Sequence, residues 1–277
     1  MRRVGELWAY REIVLNLVRK ELKVKYTASV LGAVWSLLNP VVFLVVFTFV
    51  SEVLDAGIVD YPVFLLSGLL AWNLFSASLS GGAQSVLGNA ALVKKVYFPR
   101  EILPVATIGV ALVDFFLQSA VFFAFLLVFY GFALSQLWLY PLAFTALLVF
   151  TMGIVLWVSA MNVRYRDVQH LVGIGLLVWF WMTPIVYAGG QVEAKLRDAS
   201  LGGVSLWHLY LGNPMTWVVF GFQRALYHSP GADQALPSFT TGELALGLCA
   251  AIAAGILLLF LTWRSFFSLS GDFAEEL

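Results

Sequence analysis

Residues 115–163 read FFLQSAVFFAFLLVFYGFALSQLWLYPLAFTALLVFTMGIVLWVSAMNV, forty-nine positions without one Asp, Glu, Lys or Arg. As a single helix the run would rise about 74 Å at 1.5 Å per residue. That is more than twice the roughly 30 Å hydrocarbon core of a bilayer. The run is therefore expected to be two membrane spans. Gly131, Ser135 and Gln136, followed by Pro141, place the turn at Gly131–Gln136.

Three further stretches, 26–51, 61–93 and 244–263, also lack charge. Together they give six candidate spans, Leu31–Val53, Pro62–Gly82, Leu103–Tyr130, Leu137–Ala160, His170–Ala188 and Leu244–Trp263. The composition agrees. Of 277 residues, 61% are hydrophobic and only 12% charged, where a soluble domain carries about 25% charge. A water-soluble globule is excluded, and a formal net charge of zero gives no bulk attraction to nucleic acid. Cys249, the one cysteine, permits no intrachain disulfide and reads as a buried small hydrophobe.

The sixteen basic residues set the orientation. Thirteen fall on one side, among them Arg19, Lys20, Lys23, Lys25, Lys94, Lys95 and Arg100; only Lys195, Arg197 and Arg224 fall on the other. With six spans both termini share the basic side, which the positive-inside rule makes cytoplasmic. The basic start has no short apolar core or small-residue cleavage site after it, so it is expected to be retained rather than cleaved as a signal peptide.

Within that start, Leu7, Tyr10, Val14, Leu17, Val18 and Leu22 recur at helical spacing opposite Arg11, Glu12, Arg19, Lys20 and Lys23. The pattern predicts an amphipathic helix over Trp8–Lys25 lying in the cytoplasmic interface; the alternative is a solvated basic tail. The outer region 189–243 is not uniformly polar. Pro214–Leu226 is too short to cross and too apolar for an exposed loop, so it is read as a re-entrant or interfacial helix. Asn213 would cap it and Pro214 would occupy its first position.

Catalytic machinery is not legible. No G-x-x-x-x-G-K-[ST], H-E-x-x-H or G-x-S-x-G occurs, and His170, His208 and His228 are too scattered to suggest a metal site. Asp114 is the only carboxylate near the middle of a predicted span, Glu52 standing at the end of the first. A proton relay is one reading of it, but the interiors of the spans offer no His, Lys or second carboxylate as a partner, so a structural hydrogen-bonding role is preferred. Aromatic residues make up 16%. Trp35, Phe43 and Phe47 on the first span, and Trp179, Phe180, Trp181 and Tyr187 on the fifth, could line a conduit with flat faces for sugar C–H groups. For any single ring, lipid-facing packing is the simpler account. In the loop 87–104, Asn89 is expected to cap a short helix through Val96 that Pro99 stops, a docking ridge for a soluble partner.

The order of these features resembles the permease subunits of type-2 ATP-binding-cassette polysaccharide exporters, which carry O-antigen, teichoic acid or capsular chains. The resemblance rests on LVRKELKVKY (17–26), SVLGAVWSLLNP (29–40), NAALVKKVYFPREILP (89–104), MNVRYRDV (161–168), WMTPIVY (181–187) and GNPM (212–215). It implies an all-α polytopic membrane protein: an interfacial helix over 1–30, a six-span domain over 31–263 and a cytoplasmic tail over 264–277. It implies a homodimer paired with two copies of a separate ABC ATPase that binds MgATP, so that this chain carries no cofactor and is no enzyme. A lipid-linked, polyprenyl-pyrophosphate glycan would be the cargo. Arg19, Lys20, Lys23 and Lys25 would meet its headgroup. Asn89, Leu92, Val93, Lys94, Lys95 and Val96 would form the coupling helix seated in the ATPase. The first and fifth spans would line the conduit, and an outer gate would include Asn213, Pro214, Trp217 and Phe220. Competing readings are a membrane-embedded transferase, which lacks converging titratable groups; a secondary transporter, for which Asp114 is a thin basis; and a same-fold exporter of a lipid or drug.

Overall fold

The structure, a computed structural model, describes residues 10–27, 35–53, 57–96, 98–130, 134–228, 232–271 and 273–276. Its helices are α1 (Arg11–Thr27), α2 (Trp35–Val53), α3 (Tyr61–Ser85), α4 (Ala90–Lys95), α5 (Ile102–Phe129), α6 (Leu139–Arg164), α7 (Val168–Met182), α8 (Gly189–Leu196), α9 (Leu206–Leu211), α10 (Pro214–Leu226), α11 (Ala232–Ala235), α12 (Thr241–Ser270) and α13 (Phe273–Glu276). The long uncharged run breaks where expected. α5 stops at Phe129 and α6 starts at Leu139, with a short 3-10 turn at Leu134–Gln136 between them.

Among the described residues, α3, α5, α6 and α12 are each long and apolar enough to cross a bilayer. α2 and α7 are shorter, and α7 corrects an expectation. The fifth span was expected to reach Ala188, but the helix ends at Met182, where Thr183 turns extended (φ −111, ψ 136). Pro184 is the cause, because its ring disfavours helical backbone at the residue before it. The sixth helix is longer than its apolar run. Thr240 and Glu243 close a reciprocal capping box, with Glu243 N donating to Thr240 Oγ1 at 3.2 Å and Thr240 N to Glu243 Oε2 at 2.8 Å.

α3 is the central post, with Phe64, Leu65, Ala71 and Phe75 fully buried. α6 and α12 form the most extensive helix pair. Two glycines allow it: a Cβ on Gly153 would stand 3.1 Å from the Leu259 backbone nitrogen, and one on Gly255 3.1 Å from the Phe150 nitrogen. Between apolar helices in lipid the gain comes from close packing, so small residues at the crossing set the distance of approach. Cys249 corrects another expectation: it is exposed, on a part of α12 that faces away from the bundle.

The outer region is ordered by backbone economy. A two-residue hairpin pairs Ser200 with Ser205 and Leu201 with Val204, turning through Gly202 (φ 61) and Gly203 (φ 84), the left-handed pair that a type I′ turn needs. α10 then runs inward and packs against α3, α6 and α12. Ten of its thirteen residues are buried.

Replacing Gly255 with Val is expected to push α6 and α12 apart and to cost about 1–3 kcal/mol, the usual range for overpacking. A lowered Tm in detergent, with unchanged insertion, is the measurement.

Candidate functional site

α1 has the expected apolar stripe, but its partner is protein. Leu17 is buried, and Tyr10, Val14 and Val18 pack on a cluster that includes Leu103 and Ala106 of α5. α1 runs alongside α5. Val18 lies over Gly109, where a Cβ would stand 2.7 Å from Val18 Cγ2, and Lys25 and Tyr26 reach Asp114. The absence of a side chain at Gly109 lets the two helices meet.

At the end of this contact Lys25 Nζ lies 2.6 Å from Asp114 Oδ2, and the Tyr26 hydroxyl donates to Asp114 Oδ1. The partner missing from the spans is thus supplied by the amphipathic helix. A carboxylate at this depth is tolerable only when paired, and Asp114 receives a cation and a hydroxyl together. Lys25 is correspondingly committed. Of the four cations expected at a headgroup, Arg19, Lys20 and Lys23 are exposed, with Lys20 3.4 Å from Glu21. Beside the ion pair is a polar cavity of about 270 Å³ lined by Lys25, Asn73, Ser76, Ser80, Asp114 and Gln118. Asn73 Nδ2 donates to Gln118 Oε1 at 3.0 Å and closes its outer end. An apolar cavity of about 200 Å³ continues beyond that pair, along Leu66, Leu70, Val121 and Phe125.

The candidate conduit residues separate. Phe43 stacks on Phe47 at 5.7 Å, Phe43 meets Phe180 at 5.9 Å, and Phe47 meets Trp181 at 6.4 Å, so α2 and α7 share an aromatic seam. Trp179 turns the other way: it packs on Phe75 at 5.1 Å and Phe150 at 6.0 Å, inside the bundle. Consecutive helical positions differ by about 100°, which sends the three adjacent rings in different directions. Tyr187 donates its hydroxyl to the Trp181 carbonyl at 2.9 Å. The Trp35 side chain lies outside the described residues.

The interrupted α7 needs its polar groups satisfied, and α10 supplies much of this. Asn213 Oδ1 accepts from Met215 N at 3.1 Å, making it the N-cap expected, and also from Trp179 Nε1 at 2.9 Å. Gln223, fully buried, donates to the Pro184 carbonyl at 2.9 Å. Pro214 opens α10. Trp217 donates to the Leu211 carbonyl at 2.8 Å and stacks on Phe239, and Phe220 is 1% exposed beside it.

Comparison with known proteins places this architecture. Residues 13–227 match the family described as ABC-2 type transporter. The chain belongs to the ABC-2 type transporter family. It is 31% identical over 283 residues to a Myxococcus xanthus protein named O-antigen export system permease protein RfbA, covering all of both chains. A Klebsiella pneumoniae protein of the same name is 34% identical over 187 residues, 66% of this chain and 72% of that protein.

In the loop between α3 and α5 two expectations change. α4 ends at Lys95, leaving Val96 extended and 51% exposed. Asn89 precedes it but does not cap it, since its Nδ2 turns back to the Ser85 carbonyl at 2.9 Å through the 3-10 turn Leu87–Asn89. Val93 is buried and Leu92 packs on the same apolar cluster, so the exposed ridge consists of Ala91, Lys94, Lys95 and Val96. Asn162, unread in the sequence, is fully buried at the base of the bundle. It donates to the Ala83 carbonyl at 2.7 Å and accepts from Gln169 N at 3.0 Å, tying α3, α6 and the start of α7 together. Its only signal in the sequence was an amide close to the end of an apolar run; Asn73 and Gln118 are amides in helix interiors.

Asp114→Ala is expected to free the end of α1 and to raise amide hydrogen exchange across Arg11–Thr27 about tenfold, or about 1.4 kcal/mol. The exchange of charges, Lys25→Asp with Asp114→Lys, should recover much of the protection.

Proposed function

We propose that this chain is the transmembrane subunit of an ATP-driven exporter that moves a lipid-linked cell-envelope polysaccharide, of the O-antigen kind, across the cytoplasmic membrane. The observation that carries the reading is the match along the whole length of both chains to a protein named as an O-antigen export permease. Two copies of the chain work with two copies of a cytoplasmic ABC ATPase. Both termini are cytoplasmic, as the charge distribution favours. α2 and α7 complete a six-span set with α3, α5, α6 and α12, and α10 is the re-entrant segment of the outer face.

In this reading the anionic headgroup of the cargo meets Arg19, Lys20 and Lys23 on α1, where phosphate oxygens accept charge-assisted hydrogen bonds. The glycan then follows the aromatic seam of Phe43, Phe47, Phe180 and Trp181. Rings hold sugar C–H faces weakly and with little sequence preference, so a chain can slide. Asn213, Pro214, Trp217 and Phe220, packed at the outer end, form the gate. ATP binding draws the ATPase copies together, and the ridge of Lys94, Lys95 and Val96 passes the movement to the bundle through Val93. The chain contributes differential stability of two conformations rather than chemistry. Asp114, neutralised by Lys25 and Tyr26, anchors α1 and moves no proton.

The permease co-expressed with its ABC ATPase is expected to show ATP hydrolysis stimulated by polyprenyl-pyrophosphate-linked glycan. Val96→Glu on the exposed ridge should lower that stimulation at least tenfold while leaving insertion intact. No stimulation of the wild-type complex by any such glycan would refute the reading. A second expected outcome concerns the seam: Phe47→Ala with Trp181→Ala should slow export of long chains while basal hydrolysis persists.

A further inference from the structure

The end of the molecule that carries α4 holds a cleft of about 830 Å³, and α4 makes only one of its walls. Lys94, Lys95 and Arg100 line it on the side of the α3–α5 loop. Tyr10 closes it beside the start of α1, and Phe267, Ser270 and Gly271 close it at the end of α12. The third wall is built, not incidental. Phe273 of α13 is fully buried, meets Phe266 edge-on at 5.5 Å, and sits in one cluster with Val93, Phe98, Ile102 and Val163. The turn after α12 is therefore packed into the same apolar unit as the inner face of the coupling loop.

Arg100 joins the walls. Its guanidinium lies over the Phe273 ring at 5.8 Å, and its Nη1 is buried without a hydrogen-bond partner. A buried guanidinium nitrogen left unpaired is costly, so the cleft lacks an acceptor. Among the described residues no carboxylate lies within salt-bridge distance of Lys94, Lys95 or Arg100. Glu101 lines the cleft but is 7% exposed, Glu276 is exposed on α13, and Asp272 and the Glu275 side chain lie outside the described residues. The lining thus carries three cations against one largely buried acid.

We propose that this composite cleft, and not the α4 ridge alone, is the seat of the ATPase, and that it takes an acidic segment of that subunit whose carboxylate pairs with Arg100. The proposal rests on the exporter reading above. Arginine suits the role because its planar fork engages a carboxylate through two parallel hydrogen bonds while its face stacks on an aromatic ring. The consequence is mechanical: movement of the ATPase reaches α12 directly through Phe273 and Phe266, alongside the route through Val93 into α3 and α5.

The test uses the full complex of this chain with its co-expressed ABC ATPase. Photo-crosslinking residues are placed singly at Lys95, at Ser270 and, as a control on the outer loop, at Asp198. Cross-links to the ATPase are expected from Lys95 and Ser270 and not from Asp198. In parallel, Arg100→Met is expected to weaken ATPase binding at least tenfold at low salt and to flatten its salt dependence, with Arg100→Lys between the two. A cross-link from Lys95 without one from Ser270 would overturn the composite seat. Wild-type affinity and salt dependence in Arg100→Met would overturn the role of Arg100, even where folding of other variants is impaired. Failure of the wild-type chain to bind the ATPase at all is a different result, since it removes the exporter reading and this proposal with it.

Discussion

A carboxylate inside the hydrocarbon has to be neutralised, and Asp114 lies near the middle of α5. Its partners, Lys25 and Tyr26, are 89 and 88 positions away in sequence on α1. That long-range pair fixes where α1 can lie. The helix follows α5, places Val18 on Gly109, and ends where the polar cavity begins. The placement also divides the basic residues of α1. Lys25 serves the fold, whereas Arg19, Lys20 and Lys23 keep their charge toward the surroundings.

A second constraint comes from interrupted helices. α7 stops within the bundle and α10 starts within it, and every such end exposes backbone groups that lipid cannot satisfy. Asn213, Trp179, Thr183 and Gln223 answer this with side chains, and in doing so they link the aromatic seam to the outer segment. A shift of α7 therefore pulls on the cap of α10. α7 and α10 are mechanically joined by a few hydrogen bonds rather than by a broad apolar surface, the kind of contact that can exchange between two arrangements.

The end of the bundle that carries α4 and α13 is organised on the opposite principle. Leu17, Val93, Phe98, Val163, Phe266 and Phe273 come from distant parts of the chain and make one apolar cluster. The loop between α3 and α5 thus rests on a rigid base, and its charged face is exposed. Packed clusters transmit displacement because they are difficult to compress.

Period and composition determine a good deal of this without coordinates. The uncharged runs specify membrane helices, the turn at Gly131–Gln136 divides α5 from α6, the stripe on Tyr10, Val14, Leu17 and Val18 specifies an amphipathic helix, and Asn213-Pro214 starts α10. All are local signals, set by hydrophobic periodicity and by the backbone preferences of Gly, Pro and Asn. The T-x-x-E pattern at Thr240–Glu243, the capping box that starts α12, is an equally local signal. Tertiary structure alone decides what each face meets. It gives the α1 stripe to α5 instead of lipid, pairs Asp114 with Lys25, turns Trp179 away from Phe180 and Trp181, and buries Val93 while exposing Val96. The physical reason is common to all four: hydrophobicity states that a side chain avoids water, and in a membrane protein both lipid and protein meet that demand. Only the packing of helices far apart in sequence chooses between them.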